Sequence, residues 1–439
     1  MRNCMNYILV TTISLAACWG SPINAKQVET QTLPTELLAT IAIPGTELDK
    51  SGLTNELSQE CTNNMLGGFS ALAYSGSEDI YFALPDRGPK DGAVDWSCRI
   101  QKFRLKVSVS GESSYELLET ILLHDQFGQP LTGLASAFPK QRTSNGSAQT
   151  AQAPSRFDPE GIRIGASGNF FVSDEYGPRL IEFSRQGKWV RELALPSKFV
   201  VAHPGLSKAE ENLANDVGRQ SNRGMEGLAI SADHQTLFGL LQSPLIQDCE
   251  KIQTTVVVKP AEHNPTEAGK FTVNQVAATQ ITKTTLVGLN VRLLQLSVSG
   301  RPQKEMLYQL DARSNKLNEI LAIDRHTFVV IERDGESGDE AKFKKLMLVS
   351  TQQATDIAAM ESLPAETIPA SVTPISKHVL IDLLDPRWKL AGAKMPEKIE
   401  GLAFGPLLAD GRKTLWVMSD NDFEAGNPSL IYVFAMGTQ

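Results

Sequence analysis

Several common functional signatures are missing from this sequence, and each absence removes a class of protein. The chain has 42 Lys and Arg against 50 Asp and Glu, a net charge of −8. It therefore lacks the broad basic excess with which nucleic-acid-binding proteins contact phosphates. It has no G-x-S-x-G elbow, which excludes a serine hydrolase of the α/β-hydrolase type. It also has no Walker loop and no H-E-x-x-H zinc helix. We expect no nucleic-acid partner.

Cysteine is scarce as well, with five residues in the chain, and none shows the paired spacing of a zinc site. Cys4 and Cys18 lie in the N-terminal segment, which leaves Cys61, Cys98 and Cys249 for the folded part. In an oxidising compartment, a disulfide between Cys61 and Cys98 is one interpretation. The other is that all three are free buried thiols.

Long apolar runs are absent except near the N terminus. Arg2 precedes the apolar stretch Tyr7–Ala17, which is too short to remain as a membrane-spanning helix and indicates an export signal. The stretch ends in Leu15–Cys18, which resembles the lipobox of bacterial lipoproteins and predicts lipidation of Cys18. Ordinary signal cleavage near Ala25 is the alternative. We expect a protein exported to the bacterial cell envelope, either periplasmic or membrane-anchored through a lipid.

A short phrase recurs along the chain: an acidic or polar residue, a small residue, and then Leu or Ile in an apolar run. The copies are Ser70-Ala71-Leu72-Ala73, Pro159-Glu160-Gly161-Ile162, Met225-Glu226-Gly227-Leu228, Glu319-Ile320-Leu321-Ala322 and Ile399-Glu400-Gly401-Leu402. A second apolar strand follows each copy: Tyr81–Arg87, Phe170–Glu175, Leu237–Gln242, Phe328–Arg333 and Leu415–Asp420. Two more strand candidates then complete each unit, as in Leu180–Phe183 and Trp189–Leu193. Four antiparallel strands per unit are typical of a propeller blade.

The two ends of the chain complement each other. The last unit has three strands, ending in Ile431–Phe434, and the strand-like segment Leu37–Ile43 belongs to no other unit. Pairing them would close the ring and leave no exposed sheet edge. The sequence thus predicts an all-β fold, a β-propeller of five four-stranded blades, with six blades as the alternative. This domain spans residues 33–437 and follows a signal segment and linker in residues 1–25.

Insertions explain why the copies lie farther apart than the roughly 40 to 50 residues of a compact blade. Residues 140–157 are rich in Ser, Thr, Gln and Ala and are predicted to form a flexible loop, as are parts of 248–275 and 351–374. Residues 206–217 have the pattern of a short amphipathic helix.

Five ordered motifs carry a resemblance to a known family. They are Asp86-Arg87-Gly88, Asp158-Pro159-Glu160-Gly161, Ser173-Asp174-Glu175-Tyr176-Gly177, Arg223-Gly224-Met225-Glu226-Gly227-Leu228 and Glu400-Gly401-Leu402-Ala403. From Gly67 to Phe434 the chain resembles the phytase-like family, whose name refers to an esterase-like activity of phytase. The resemblance implies hydrolysis of a phosphoester or an ester, although a shared fold does not by itself fix the chemistry.

The glutamates of the repeated phrase are the candidate site. Glu160, Glu226, Glu319 and Glu400 lie on the first strand of a unit, which lines the central channel of a propeller. Converging carboxylates repel one another unless a cation neutralises them, and oxygen ligands suit calcium or magnesium. We expect calcium as the cofactor and Glu160, Glu226 and Glu400 as catalytic groups. The predicted metal ligands are Glu160, Asp174, Glu175, Glu319 and Asp420, and Glu332 and Asn421 end equivalent strands.

Arginines accompany these acids. A guanidinium fork matches phosphate or carboxylate geometry, so a small anionic substrate is expected. The predicted substrate-binding residues are Arg87, Arg179, Arg223, Arg333 and Tyr176. The structural alternatives are that each arginine pairs with a neighbouring acid and that each glutamate accepts backbone N–H groups of the next blade.

Three functions therefore remain open. The first is a calcium-dependent phosphoester or ester hydrolase. The second is a lactonase-like propeller, in which a metal held by channel acids activates a cyclic ester that needs no arginine cluster. The third is a non-enzymatic, lipid-anchored binding propeller, which buried interblade glutamates would favour. The sequence does not predict the oligomeric state.

Overall fold

The computed structural model describes residues 34–135, 155–205, 208–258 and 279–437. The predicted signal segment, the lipobox with Cys18 and most of the predicted loop 140–157 lie outside these residues. Among the described residues, no helix is both long enough and apolar enough to cross a membrane.

Five four-stranded antiparallel sheets make up the fold. Blade 1 consists of β4 (Phe69–Tyr74), β5 (Ile80–Pro85), β6 (Arg99–Val107) and β7 (Ser113–Leu122). Blade 2 consists of β8 (Pro159–Ile164), β9 (Phe170–Asp174), β10 (Arg179–Phe183) and β11 (Trp189–Leu193). Blade 3 consists of β12 (Met225–Ile230), β13 (Thr236–Leu241), β16 (Asn290–Ser297) and β17 (Pro302–Gln309). Blade 4 consists of β18 (Lys316–Ala322), β19 (Thr327–Arg333), β20 (Lys344–Ser350) and β21 (Ser376–Asp382). Blade 5 consists of β22 (Ile399–Phe404), β23 (Thr414–Ser419), β24 (Ser429–Met436) and β1 (Pro34–Ile43).

The ring closes through the two ends of the chain. β1 pairs antiparallel with β24 and places Ile41 opposite Ile431. The inner strands β4, β8, β12, β18 and β22 contact one another in this order, and β22 returns to β4. The structure confirms a five-bladed β-propeller closed by the N- and C-terminal strands, and the described residues contain no sixth blade.

The glycine of the repeated phrase is explained by the close approach of neighbouring inner strands. A Cβ atom on Gly161 would lie 2.8 Å from the backbone oxygen of Glu226 in the next blade. A Cβ atom on Gly227 would lie 2.9 Å from the backbone nitrogen of Ile320. Because backbone atoms cannot move aside as a flexible side chain can, a residue without a Cβ is needed there.

A β-bulge recurs in each inner strand. In blade 3, Met225 pairs with Leu241 and Gly227 pairs with Leu240, so Glu226 is the extra residue. The equivalent residues are Ser70, Glu160, Asn318 and Glu400. A bulge twists the strand and re-aims the side chain of the extra residue.

The alignment of Glu319 with the other three glutamates is therefore wrong by one residue. In blade 4, Leu317 pairs with Glu332 and Ile320 pairs with Val330, which makes Asn318 the bulged residue and Glu319 the counterpart of glycine. A shift of one residue along a strand moves a side chain to the other face of the sheet.

The insertions differ from one another. The predicted helix is confirmed as α1 (Lys208–Ala214). Of the segment 248–275, parts of which were expected to form a loop, Glu250–Val258 form β14, which pairs with β15 (Thr279–Val287) as a hairpin. Residues 259–275 lie outside the described residues. Residues 351–374 contain no helix or strand but bury Ile357 and Leu363 in a cluster with Leu307. A second small hairpin joins β2 (Glu56–Ser58) and β3 (Cys61–Thr62).

The three cysteines of the described chain are free thiols. Cys61 is buried in a cluster with Trp96 and Phe423. Cys98 is buried in another cluster and lies 3.3 Å from the backbone oxygen of Phe157. The structure therefore supports free thiols rather than a disulfide between Cys61 and Cys98.

Candidate functional site

The beginnings of the inner strands and the ends of the second strands meet at one mouth of the channel. The backbone N–H of Glu175 donates to the oxygen of Asp158 at 2.9 Å, and that of Gln242 donates to Gly224 at 2.9 Å. Arg333 pairs with Lys316 at the same level. We use the name charged mouth for three residues of each blade. They are the residue two positions before the bulged residue, the bulged residue itself, and the residue at the end of the second strand that lies opposite the first of these. Its members are Gly68, Ser70 and Asp86 in blade 1, Asp158, Glu160 and Glu175 in blade 2, Gly224, Glu226 and Gln242 in blade 3, Lys316, Asn318 and Arg333 in blade 4, and Lys398, Glu400 and Asp420 in blade 5.

The charged mouth has an acidic side and a basic side. The acidic side contains Asp158, Glu160 and Glu175 from blade 2 and Glu226 from blade 3. The basic residues of the mouth all come from blades 4 and 5: Lys316, Arg333 and Lys398. Negative charge is thus concentrated where blades 2 and 3 meet, which focuses the local electrostatic potential, whereas Arg333 and Lys398 are paired with Glu400 and Asp420 of blade 5.

Three acids of blade 2 form the densest carboxylate cluster in the described chain. Ligand oxygens of Asp158, Glu160 and Glu175 lie within 4.8 Å of one another, and all three residues are buried. Glu160 projects from the bulge of β8, Asp158 immediately precedes β8, and Glu175 immediately follows β9. We call these residues the acidic trio.

Arg87 is the cation closest to the acidic trio. Its Nη1 lies 2.6 Å from Oδ2 of Asp158 and 3.6 Å from Oε2 of Glu175. Its guanidinium group also contacts Asn222 and lies 2.9 Å from Asp91. Arg87 therefore compensates two of the three carboxylates and leaves Glu160 without it.

Glu160 and Glu226 form a pair of carboxyl groups from neighbouring blades. Their side chains share a hydrogen bond, and among the described residues neither forms an ion pair with a basic side chain. Burial raises the pKa of Glu160 well above its ordinary value, and Glu226 and Asp158 add to the increase. Burial also raises the pKa of Glu226, with contributions from Glu175 and Glu400. Two such groups in contact retain a proton between them.

Glu400 has a different environment from this pair, although it occupies the same position in its blade. It accepts hydrogen bonds from Nη2 of Arg333 at 2.7 Å and from Nδ2 of Asn318 at 3.0 Å. Oγ of Ser70 lies 3.4 Å away. Burial raises the pKa of Glu400, and the basic groups Lys398 and Arg333 oppose that increase.

Glu319 does not join the charged mouth. It accepts the backbone N–H groups of Leu228 and Ile320 at 3.0 and 2.9 Å and lies 3.0 Å from Nη2 of Arg163. Nη1 of Arg163 in turn donates to the backbone oxygen of Leu72 at 3.2 Å. Burial raises the pKa of Glu319 to about 7 although Arg163 opposes it. The Glu319–Arg163 pair and its backbone contacts thus join four blades across the channel.

Asp174 is also committed elsewhere. It accepts the backbone N–H of Asp158 at 2.8 Å and Nε of Arg179 at 2.7 Å. Glu332, at the equivalent position of blade 4, accepts the hydroxyl of Tyr308 at 2.7 Å. Asp174 directly precedes Glu175, and Glu332 directly precedes Arg333. Because successive side chains of a strand point to opposite faces, Asp174 and Glu332 face the other side of the sheet.

The two remaining predicted ligand-binding residues of blade 2 lie beside the mouth rather than in it. Arg179 is held by Asp174 and by the backbone oxygen of Arg156 at 2.6 Å. The hydroxyl of Tyr176 donates to the backbone oxygen of Gly133 at 2.8 Å. Both side chains support the loop that carries Glu175.

Asp420 lies on the basic side, away from the acidic trio. Nζ of Lys398 lies 2.9 Å from it and also contacts Asp422. Asn421 accepts the backbone N–H of Gly68 at 3.0 Å. Burial raises the pKa of Asp86 well above its ordinary value, and nearby Asp420 adds to that increase.

The members of the mouth that sequence reasoning missed include Asp158, Gln242, Lys316 and Lys398. Three of them stand two residues before a bulged residue, and that spacing was a usable signal. Lys316 shows this spacing only when Asn318, rather than Glu319, is aligned with Glu160, Glu226 and Glu400.

The donor set of the acidic trio fits a hard divalent cation. It offers carboxylate oxygens only, as calcium and magnesium prefer, and contains no imidazole or thiolate that would favour zinc. Glu160, which no basic side chain compensates, is the member with most to gain from such an ion.

Comparison with known proteins places these motifs in a family. The family described as phytase-like, with esterase-like activity of phytase, matches residues 64–423. An uncharacterized secreted protein from Arthroderma benhamiae is 32% identical over 256 residues, which are 47% of this chain and 48% of that protein. In this match the chain spans about half the length of the curated relative.

Similar solved structures share low identity with this chain. One is a luciferin-regenerating enzyme, with 10% identity, a TM-score of 0.31, and coverage of 87% of this chain and 96% of that chain. Another is a catalytically inactive virginiamycin B lyase from Staphylococcus aureus with quinupristin, with 9% identity, a TM-score of 0.31, and coverage of 90% and 98%. Such values carry no function from those proteins to this one. The family match covers most of the chain and includes the acidic trio, Glu226 and Glu400, and the chain belongs to the phytase-like family.

Proposed function

We propose that this protein is an exported, metal-assisted hydrolase that cleaves a phosphoester or carboxylic ester in a small anionic substrate at the charged mouth. The observation that carries the proposal is the buried acidic trio, whose oxygens lie within 4.8 Å of one another. Burying such a cluster is costly unless a cation compensates it, and Arg87 compensates only part. Membership of the phytase-like family supports hydrolysis.

The residues of the acidic side divide into two roles. Asp158, Glu160 and Glu175 would hold calcium, and that ion would supply Lewis-acid activation of the ester and of water. Glu226 keeps a proton because its pKa is raised, and it lies beside Glu160, so we assign it as the donor to the leaving group. Glu400 is bonded to Arg333 and Asn318, and we assign it a positioning role.

Export is supported by the N-terminal apolar segment and by the secreted relative. The finer proposal is a lipid on Cys18 that anchors the protein in the bacterial cell envelope. Fractionation of cells that express the full chain tests it. Membrane association should be lost in Cys18→Ala, whereas an equal distribution of both proteins would contradict the anchor.

The catalytic proposal is tested by hydrolysis of p-nitrophenyl phosphate, p-nitrophenyl acetate and phytate, with calcium and with chelator. We expect calcium-dependent turnover of at least one substrate. Glu160→Gln should lower it about 100-fold or more while the protein stays folded, because removal of an acid–base or ligand group costs at least that much.

A matched control is available in the same blade. Glu182→Gln makes the same chemical change at an outer position, where Glu182 pairs with Arg191 at 2.7 Å. Its turnover should equal that of the natural protein. Equal loss in both variants would show that Glu160 acts through stability and would contradict its place in the site.

One observation favours a second candidate function, a non-enzymatic binding propeller. Nη1 of Arg87 lies 2.6 Å from Asp158 and 3.6 Å from Glu175, so the protein itself supplies part of the positive charge. Absence of turnover with all three substrates, together with no change of Tm on adding calcium, would contradict the hydrolase proposal and favour the binding propeller.

A further inference from the structure

Where blades 3 and 4 meet, two cations have no partner in the described chain: Lys316 of the charged mouth and Arg223, which directly precedes Gly224 of the mouth. Lys316 and Arg223 are half-buried, and no side-chain hydrogen bond or ion pair joins either of them to another described residue. A third cation, Arg333, is 2% exposed and has one carboxylate partner, Glu400. Long cationic side chains that are only half exposed normally find an acid or extend into water.

The backbone holds these cations side by side. The N–H of Gln242 donates to the oxygen of Gly224, the residue after Arg223, at 2.9 Å. The N–H of Leu317, the residue after Lys316, donates to the oxygen of Gln242 at 3.1 Å. Lys316 is also paired directly with Arg333 across β18 and β19. The cluster therefore bridges blades 3 and 4 on rigid strand ends.

The side chain of Gln242 completes the donor set. Gln242 is 7% exposed and follows β13, and no described residue bonds its side-chain amide. It stands between the two uncompensated cations along the rim. An amide N–H, an ammonium and the guanidinium fork of Arg223 present donors in several directions, which suits a tetrahedral oxyanion better than a planar carboxylate. Arg333 adds positive charge and a free Nε, since its Nη1 and Nη2 donate to Asp334 and Glu400.

The charges of the cluster do not balance within the protein. Arg223, Lys316 and Arg333 carry three positive charges, and Glu400 offsets one of them, which leaves two. Burial lowers the pKa of Lys316, and repulsion from Arg333 and Arg223 adds to the decrease. Glu226 and Glu397 are the acids that oppose this decrease, and neither of them forms an ion pair with Lys316 in the described chain. An arrangement of this kind is stabilised by a bound dianion.

We propose that Arg223, Lys316, Arg333 and the amide of Gln242 bind a second, non-scissile phosphate-type group of the substrate. Glu226 of blade 3 adjoins both groups, because it interacts with Lys316 of the cluster and shares a hydrogen bond with Glu160 of the acidic trio. That the anion is part of a substrate rests on the hydrolase proposed above, whereas binding of the anion itself needs no turnover. A neutral lactone would leave these cations unpaired, which argues against the lactonase alternative.

Inorganic phosphate is the probe for the anion site. Chelator-treated protein is titrated with phosphate by calorimetry, against chloride at equal ionic strength. The natural chain should bind phosphate specifically, and Lys316→Met and Arg223→Met should each weaken binding about tenfold, which is 1.4 kcal/mol. Lys102→Met is the control, because Lys102 lies on β6 and pairs with Glu119 at 3.6 Å. Failure of the natural chain to bind, or equal binding by all four proteins, would overturn the proposal.

The kinetic test compares a monophosphate ester with a bisphosphate ester of the same alcohol. Lys316→Met should raise KM for the bisphosphate about tenfold more than KM for the monophosphate. An equal rise for both esters would mean that the cluster binds the scissile group and would refute a second subsite. If neither ester is cleaved, the hydrolase proposal fails, and the phosphate titration alone decides the anion site.

Discussion

Glu160 and Glu319 are buried glutamates on inner strands of the same ring, and their environments are opposite. Glu319 lies 3.0 Å from Arg163 and accepts two backbone N–H groups. Glu160 shares a hydrogen bond with Glu226 and has no basic partner among the described residues. The first is compensated by the protein, and the second is not. Position in the strand, rather than residue type, separates the structural glutamate from the functional candidates.

The largest effect should come from breaking the compensated pair. Arg163→Met should destabilise the protein by about 3–5 kcal/mol at pH 8, because it leaves a buried carboxylate unpaired. The pKa of Glu319 is about 7 in the folded protein, above its ordinary value, so this group takes up a proton on folding between those values. Its contribution to stability therefore falls as pH rises, and the loss caused by Arg163→Met should be smaller at pH 5. Urea unfolding of both proteins at the two pH values measures the difference.

A control for this variant is Arg104→Met, which breaks a surface pair with Glu116 at 2.5 Å. Its cost should stay below about 1 kcal/mol at either pH. Equal destabilisation by Arg163→Met at pH 5 and pH 8 would show that its bonds to backbone carbonyls, rather than Glu319, carry the effect.

The next effect should have the opposite sign. Glu160→Gln should stabilise the metal-free protein at pH 8 by about 1–3 kcal/mol, since it removes one of two buried, repelling carboxyls. The folded pKa of Glu160 is raised, so the natural protein loses stability as pH rises and the advantage of the variant should shrink at pH 5. Urea unfolding with chelator tests this. A variant less stable than the natural chain would mean that Glu160 is structural, as Glu319 is.

The smallest effect concerns Gly227, which follows Glu226 in sequence and packs against the backbone of Glu319. A Cβ on Gly227 would lie 3.1 Å from Cα of Glu319, so Gly227→Ala should cost about 1–2 kcal/mol. A Cβ on Gly335 would meet no other atom within 4 Å, and Gly335→Ala should stay within about 0.5 kcal/mol of the natural chain. Equal Tm values for the two variants would contradict close packing of blades 3 and 4.

Much of the fold is predictable because each blade repeats the same pattern of apolar strands. The repeated phrase located the inner strands, and the unpaired strand candidate at the N terminus predicted closure with β24. The hairpin β14–β15 was missed because its Thr-rich strands have no regular apolar alternation that separates them from a loop.

The candidate site was less predictable. Glu160 and Glu175 were proposed as metal ligands and do meet, but their third partner is Asp158 rather than Asp174. Asp174 precedes Glu175 by one residue, and Asp158 precedes Glu160 by two. Only the strand pairing shows which of the two aspartates faces the mouth. Arg223 and Arg333 reach the mouth, whereas Arg179 and Tyr176 support the loop beside it.

The sequence alone predicted the order of the blades and the closure of the ring, because apolar periodicity and repetition are properties of the chain, and it favoured five blades with six as the alternative. The tertiary structure decided which acids remain without a partner. A bulge is placed by pairing with the neighbouring strand, and it fixes whether a side chain faces the channel or the next sheet. For that reason Asn318 lines the mouth and Glu319, its neighbour in sequence, binds Arg163.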